Sequence, residues 1–120
     1  MASVLVAEDE FGIALLVRRI LEQQGHKVCV VVDGRQAVDT LNASDYDLLI
    51  TDIKMPFYDG IQVVDWAKVQ FPSLPVVIIS AHLVDAETAL AAGADAFLMK
   101  PFTRDQLLAV VRQYVKTPTR

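Results

Sequence analysis

One cysteine, Cys29, stands in a chain of 120 residues. An intrachain disulfide is therefore excluded, and a reducing compartment is the natural home. The valines around it, Val28, Val30 and Val31, predict a buried structural thiol rather than a nucleophile. Long apolar runs are missing as well. None approaches the roughly 20 residues that cross a bilayer, and the opening MASVLVAEDE has no basic stretch followed by a long apolar one, as a secretory leader would. These absences predict a cytoplasmic protein with no membrane partner. Basic residues are scarce too: 11 Lys and Arg face 15 Asp and Glu, for a net charge of −4. Such a balance argues against direct nucleic-acid binding, which needs clustered cations to meet the phosphates. There is no internal repeat, no low-complexity segment and no room for a second domain, so residues 1–120 read as one domain with a core over about 4–115.

What the chain does have is apolar material, 53% of its residues, beside 22% that are charged. A chain of this length buries roughly two thirds of its unfolded surface on folding. Two apolar patterns alternate along it. VLVA, VCVVV, DLLI, PVVIIS and AFLM are short unbroken runs rich in β-branched residues, as expected of strands buried on both faces. Helical segments lie between them. Ile13, Leu16, Val17, Ile20 and Leu21 form an amphipathic stripe that Gly25 stops. Ala37, Val38 and Leu41 mark a second helix; Val63, Val64, Ala67 and Phe71 mark a third that ends before Pro72. VDAETALAAGA is a short fourth helix, and Thr103 with Gln106 is spaced as a capping box opening a fifth that carries Leu107, Leu108, Val111 and Val115. Because parallel strands need right-handed helical crossovers, this alternation predicts an α/β three-layer sandwich with a parallel sheet between helices. The tail KTPTR reads as a frayed end or as the start of a linker.

The polar residues that touch the apolar runs fall at the carboxyl ends of the strands. Glu8 and Asp9 follow the first, Asp52 the third, Ser80 ends the fourth and Lys100 follows the fifth. In an open parallel sheet that edge binds ligands, at the point where the winding reverses. A strand order of 2-1-3-4-5 brings Glu8, Asp9 and Asp52 to that point. Three neighbouring carboxylates retain a proton or hold a cation, and few protein ligands in an open site favour Mg2+, with Mn2+ as a substitute, over Ca2+. Taken singly, Glu8 or Asp9 could simply cap the following helix. A cap explains neither Lys100 nor Ser80 on the same edge, where an ammonium, a hydroxyl and a metal suit a phosphoryl dianion. With Glu8 and Asp9 serving the cation, Asp52 stands alone opposite Ser80 and Lys100 and is the better nucleophile.

With these residues in place, the sequence resembles the receiver domains of two-component response regulators, which are flavodoxin-like. VLVAEDE, DLLITDIKMPFYDG, PVVIISAH and AAGADAFLMKPF carry the resemblance, from about Val4 to Val115. It implies that Asp52 accepts phosphate from a sensor histidine kinase or a histidine phosphotransfer protein. It further implies that Asp9, Asp52 and the Lys54 backbone carbonyl ligate Mg2+, that Glu8 acts largely through water, and that Ser80 and Lys100 hold the phosphoryl group. The Lys100–Pro101 bond is expected to be cis. Switching would draw the Ser80 hydroxyl inward and let Phe97 follow, and the face of the fourth helix, fifth strand and fifth helix would meet an output protein. Lys54, Ala81 and His82 would flank the phosphoryl group. Two features depart from the family: Phe97 stands where Tyr is commonest, and the interval from Ser80 to Lys100 is about two residues shorter than usual, which shortens the loop after strand 4 or helix 4.

On this reading the chain is a phosphorylation switch rather than an enzyme with a diffusible substrate, limited to phosphorylating itself from small donors and dephosphorylating itself. It would act as a monomer or weak homodimer, either as a single-domain regulator or phosphorelay shuttle, or as the receiver part of a larger regulator. Other classes fit less well. An aspartyl-phosphate hydrolase would carry a general acid two residues after its nucleophile, where this chain has Lys54. A flavin module would need a phosphate-cradling loop after the first strand, where EDEFGI is anionic. A receiver-like module that signals without phosphorylation would not need the intact acidic set.

Overall fold

A computed structural model describes residues 2–115; the predicted frayed tail, residues 116–120, lies outside them. Strands and helices alternate as β1 (Ser3–Ala7), α1 (Phe11–Gln23), β2 (Lys27–Val31), α2 (Gly34–Ala43), β3 (Leu48–Asp52), α3 (Gly60–Gln70), β4 (Val76–Ser80), α4 (Asp85–Ala91), β5 (Ala96–Met99) and α5 (Arg104–Arg112). The strands form one sheet of order β2-β1-β3-β4-β5, and every pairing is parallel. This is the flavodoxin-like α/β sandwich that the alternation predicts.

Side chains of a strand point alternately to its two faces, so the sheet divides its apolar residues between two layers. Val6, Ile50, Val77, Ile79 and Leu98 pack with Val17 and Leu21 of α1 and Leu107, Leu108 and Val111 of α5. Leu5, Leu49 and Ile78 pack on the opposite face with Leu41 of α2, Val63 and Val64 of α3 and Ala89 of α4. The central strands β1, β3 and β4 are buried on both faces, as expected. β2 and β5 are not, because each has a neighbour on one side only. Cys29, on edge strand β2, is accordingly half-buried rather than enclosed.

Local chemistry sets most helix boundaries. Asp33 caps α2 by accepting from Gln36 N. Asp59 with Gln62 and Thr103 with Gln106 form reciprocal capping boxes at the starts of α3 and α5, which satisfies amides that would otherwise lack partners. Past α1, Gly25 takes a φ of 88°, which glycine adopts without a Cβ clash. The stripe of α1 is centred differently from the periodicity: Ala14 is buried and Leu16 is 47% exposed. Leu16 and Ile13 instead border a surface groove of about 370 Å³ whose far wall is Pro101 and Phe102. Phe71 falls one residue beyond α3, with its ring edge-on to Trp66 at 5.7 Å. α4 is the shortest helix described, with seven residues, no side-chain cap and Ala89 as its one buried residue. Among the described residues no helix is long and apolar enough to cross a membrane.

Candidate functional site

The register of the sheet assembles the site. Ala7 lies opposite Thr51 where β1 pairs with β3, so the residues that follow, Glu8 and Asp9 on one side and Asp52 on the other, arrive at the same level of the carboxyl edge. Oxygens of the three carboxylates lie within 4.8 Å of one another. Glu8 is fully buried, Asp52 half-buried and Asp9 exposed. Lys100, immediately after β5, reaches across the edge: its Nζ lies 2.8 Å from Glu8 Oε1 and donates to Asp52 Oδ2 at 3.1 Å. Asp52 Oδ1 accepts from Ile53 N at 2.7 Å, and Glu8 Oε2 from Glu10 N at 3.1 Å. The sequence sets Asp52 alone opposite Ser80 and Lys100; in the fold Lys100 also contacts Glu8, its long stem reaching past β3 to the end of β1.

The charges are unevenly balanced. Burial pushes the Glu8 carboxyl up to about 7, against the opposing pull of its contact with Lys100, and the Asp52 charge adds to the rise. For Lys100, burial acts downward, but the contacts with Glu8 and Asp52 outweigh it and hold the ammonium above its ordinary value. One cation therefore faces three acids. Glu8 Oε1 is buried and has the Lys100 ammonium as its partner, which it shares with Asp52. An oxygen-only donor set in which three carboxylates gather around one ammonium fits a hard divalent cation, and Glu8, Asp9 and Asp52 are the residues that would hold it.

The backbone beneath Asp52 is tightly built. Gly60 N donates to Ile53 O at 2.7 Å, and a Cβ at position 60 would collide with the Asp52 carbonyl oxygen and sit 2.8 Å from Ile53 Cα. Only glycine lets the start of α3 approach the end of β3 so closely. Lys54, Ala81 and His82 are exposed on the two loops that border the site. The Lys100–Pro101 peptide is cis. Phe97 is half-buried and packs with the α2, α3 and α4 layer.

Ser80 ends β4 on the same edge and is 3% exposed. Its hydroxyl is engaged away from Asp52: Oγ donates to Asp85 Oδ2 at 2.9 Å and accepts from His82 N at 3.1 Å. Asp85, in the first turn of α4, is the site-adjacent residue missing from the motif reading. Its signal in the sequence was an acid five residues after the hydroxyl, inside the interval that is shorter than usual.

Comparison with known proteins agrees with this fold. The model of the response regulator receiver domain matches residues 4–112. Over 111 residues the chain is 38% identical to the transcriptional regulatory protein TcrA of Mycobacterium tuberculosis, an alignment that covers 91% of this chain and 44% of TcrA. The receiver domain of Francisella response regulator 1452 superposes with a TM-score of 0.88 at 33% identity, covering 95% of this chain and 96% of that one. Response regulator TrrA of Thermotoga maritima, solved in complex with Mg2+-BeF, superposes with a TM-score of 0.90 at 26% identity, covering 96% and 100%. The chain belongs to the receiver domains of two-component response regulators, and it spans less than half the length of TcrA.

Proposed function

We propose that Asp52 is the phosphoacceptor of a switch that takes its phosphoryl group from a phosphohistidine of a sensor kinase or phosphotransfer protein in the cytoplasm. The observation that carries this reading is the Asp52 carboxylate at the carboxyl end of β3, grouped with Glu8 and Asp9 and bonded to Lys100. A carboxylate oxygen of Asp52 attacks phosphorus, the P–N bond breaks, the imidazole leaves with the bonding pair, and an acyl phosphate remains. Lys100 leaves its carboxylate partners to pair with the incoming oxygens. Mg2+, or Mn2+ in its place, would be held by Glu8, Asp9 and Asp52, with the Lys54 carbonyl as a further ligand, and would supply charge neutralisation for the transfer. That TrrA was solved with Mg2+-BeF supports the same use of the pocket here. Lys54, Ala81 and His82, at the mouth, would govern access of water to the acyl phosphate. Output would pass through α4, β5 and α5, where Leu90 and Met99 are exposed apolar side chains.

Incubation with acetyl phosphate and Mg2+ tests the reading. A hydroxylamine-labile adduct on Asp52, lost with chelator and absent from Asp52→Asn, is expected; failure of the unsubstituted protein to form it would overturn the assignment.

A further inference from the structure

Ser80 has one hydroxyl proton, and two acceptors compete for it. In this structure Asp85 Oδ2 holds it at 2.9 Å, while His82 N fills a lone pair at 3.1 Å. A hydroxyl donates once, so donation to a phosphoryl oxygen on Asp52 requires the bond to Asp85 to break. Ser80 is almost wholly buried, which leaves little room for water to take over either role. β3 and β4 place the competitor next door: Asp52 lies opposite Ile79, one residue before Ser80. Asp85 belongs to a different unit, the first turn of α4. Asp85 N donates to His82 O and Ala86 N to Leu83 O, both at 3.0 Å, and no side chain caps the helix start. That turn carries Leu83 and Val84, 66% and 81% exposed.

We infer that Asp85 is a positioning residue, a latch that holds the Ser80 hydroxyl away from Asp52 and ties the start of α4 to the end of β4 until a phosphoryl group draws the hydroxyl across. The inference rests on Asp52 being the phosphoacceptor. Breaking the latch is then part of the work of every activation, and the event that satisfies the phosphoryl group also frees the turn bearing Leu83 and Val84. Removing Asp85 leaves the hydroxyl free in advance and favours the phosphorylated arrangement.

Beryllofluoride with Mg2+, titrated by calorimetry, tests the latch. Asp85→Ala is expected to bind it roughly tenfold more tightly than the unsubstituted protein, the scale of one hydrogen bond to a charged acceptor. Asp85→Asn, which keeps a neutral acceptor and the helix start, is expected in between and serves if the Ala variant does not fold. Loss of a negative charge alone would also strengthen anion binding, so the deciding comparison is made in Ser80→Ala, where only that charge effect is left and Asp85→Ala should gain far less than in the unsubstituted protein. An equal gain in that background overturns the latch in favour of plain electrostatics, as does unchanged affinity in Asp85→Ala. Absence of binding by the unsubstituted protein overturns the phosphoacceptor reading together with the latch. Without metal, amide exchange of His82 and the first turn of α4 should quicken alike in Asp85→Ala and Ser80→Ala; unchanged exchange in both also overturns it.

Discussion

Phe57 is 71% exposed and holds a φ of 69°, in the left-handed region that disfavours bulky residues. The KMPFYDG stretch reads as a turn, but nothing in its order reveals which residue takes the reversed conformation. Phe57→Gly is expected to raise the urea midpoint by the equivalent of about 1 kcal/mol, since strain is relieved and little burial is lost. Two buried titratable groups work in opposite directions. His26 is 4% exposed; its Nδ1 accepts from Ala2 N at 3.4 Å, and its Nε2 has no partner among the described residues. Burial, and after it the amino-terminal charge, hold His26 below its ordinary 6.5. Its stabilising contribution is complete above 6.5 and is lost as pH falls, because the unfolded chain then takes up a proton that the folded one refuses. Glu8, raised from 4.5 to about 7, contributes most below 4.5 and loses that contribution as pH rises through 7. In metal-free denaturation, the advantage of the unsubstituted protein over His26→Gln should shrink from pH 7 to 5. Its standing against Glu8→Gln should instead worsen from pH 5 to 8, by on the order of 3 kcal/mol.

Elements were legible where their signals are local. Thr103 and Gln106 announce α5 because both halves of a capping box lie within one turn. Leu16 misled because periodicity gives the width of an apolar stripe but not its centre, which the sheet chooses by burying Ala14. The edge status of β2 and β5 depends on strand order, which no single run encodes. The Ser80–Asp85 bond escaped for a similar reason: it depends on where α4 begins, and no cap marks that point. The junction of β3 with α3 is the least forgiving element contact. Gly60→Ala sets a methyl group against backbone atoms of Asp52 and Ile53, so a loss of about 3 kcal/mol or more in chemical denaturation is expected. In contrast to a surface change, it should also impair phosphorylation, because the atoms displaced carry the Asp52 side chain.

At the scale of the molecule, Glu8, Asp9, Asp52 and Lys100 could be placed together from sequence because a parallel sheet of this order gathers its strand ends at one crevice. Their individual partnerships could not, since those depend on side-chain reach. On the proposed reading, the three acids gathered in the folded state hold Mg2+ better than the unfolded chain does. At a hundredfold over its dissociation constant, Mg2+ should add about 2.7 kcal/mol of stability, measurable as a higher melting temperature that chelator reverses and Asp9→Asn diminishes. The pairing of β1 with β3 joins Val4 to Leu48, and Lys100 arrives from later still. The pocket therefore exists only after chain segments far apart in sequence have met, behind loop closures of high contact order, and is expected to form after the folding transition state. A cation that recognises the pocket should then find little to grip in that state. In stopped-flow experiments Mg2+ should leave the refolding rate nearly untouched and slow unfolding on the order of a hundredfold, acting as a brake on escape from the native state.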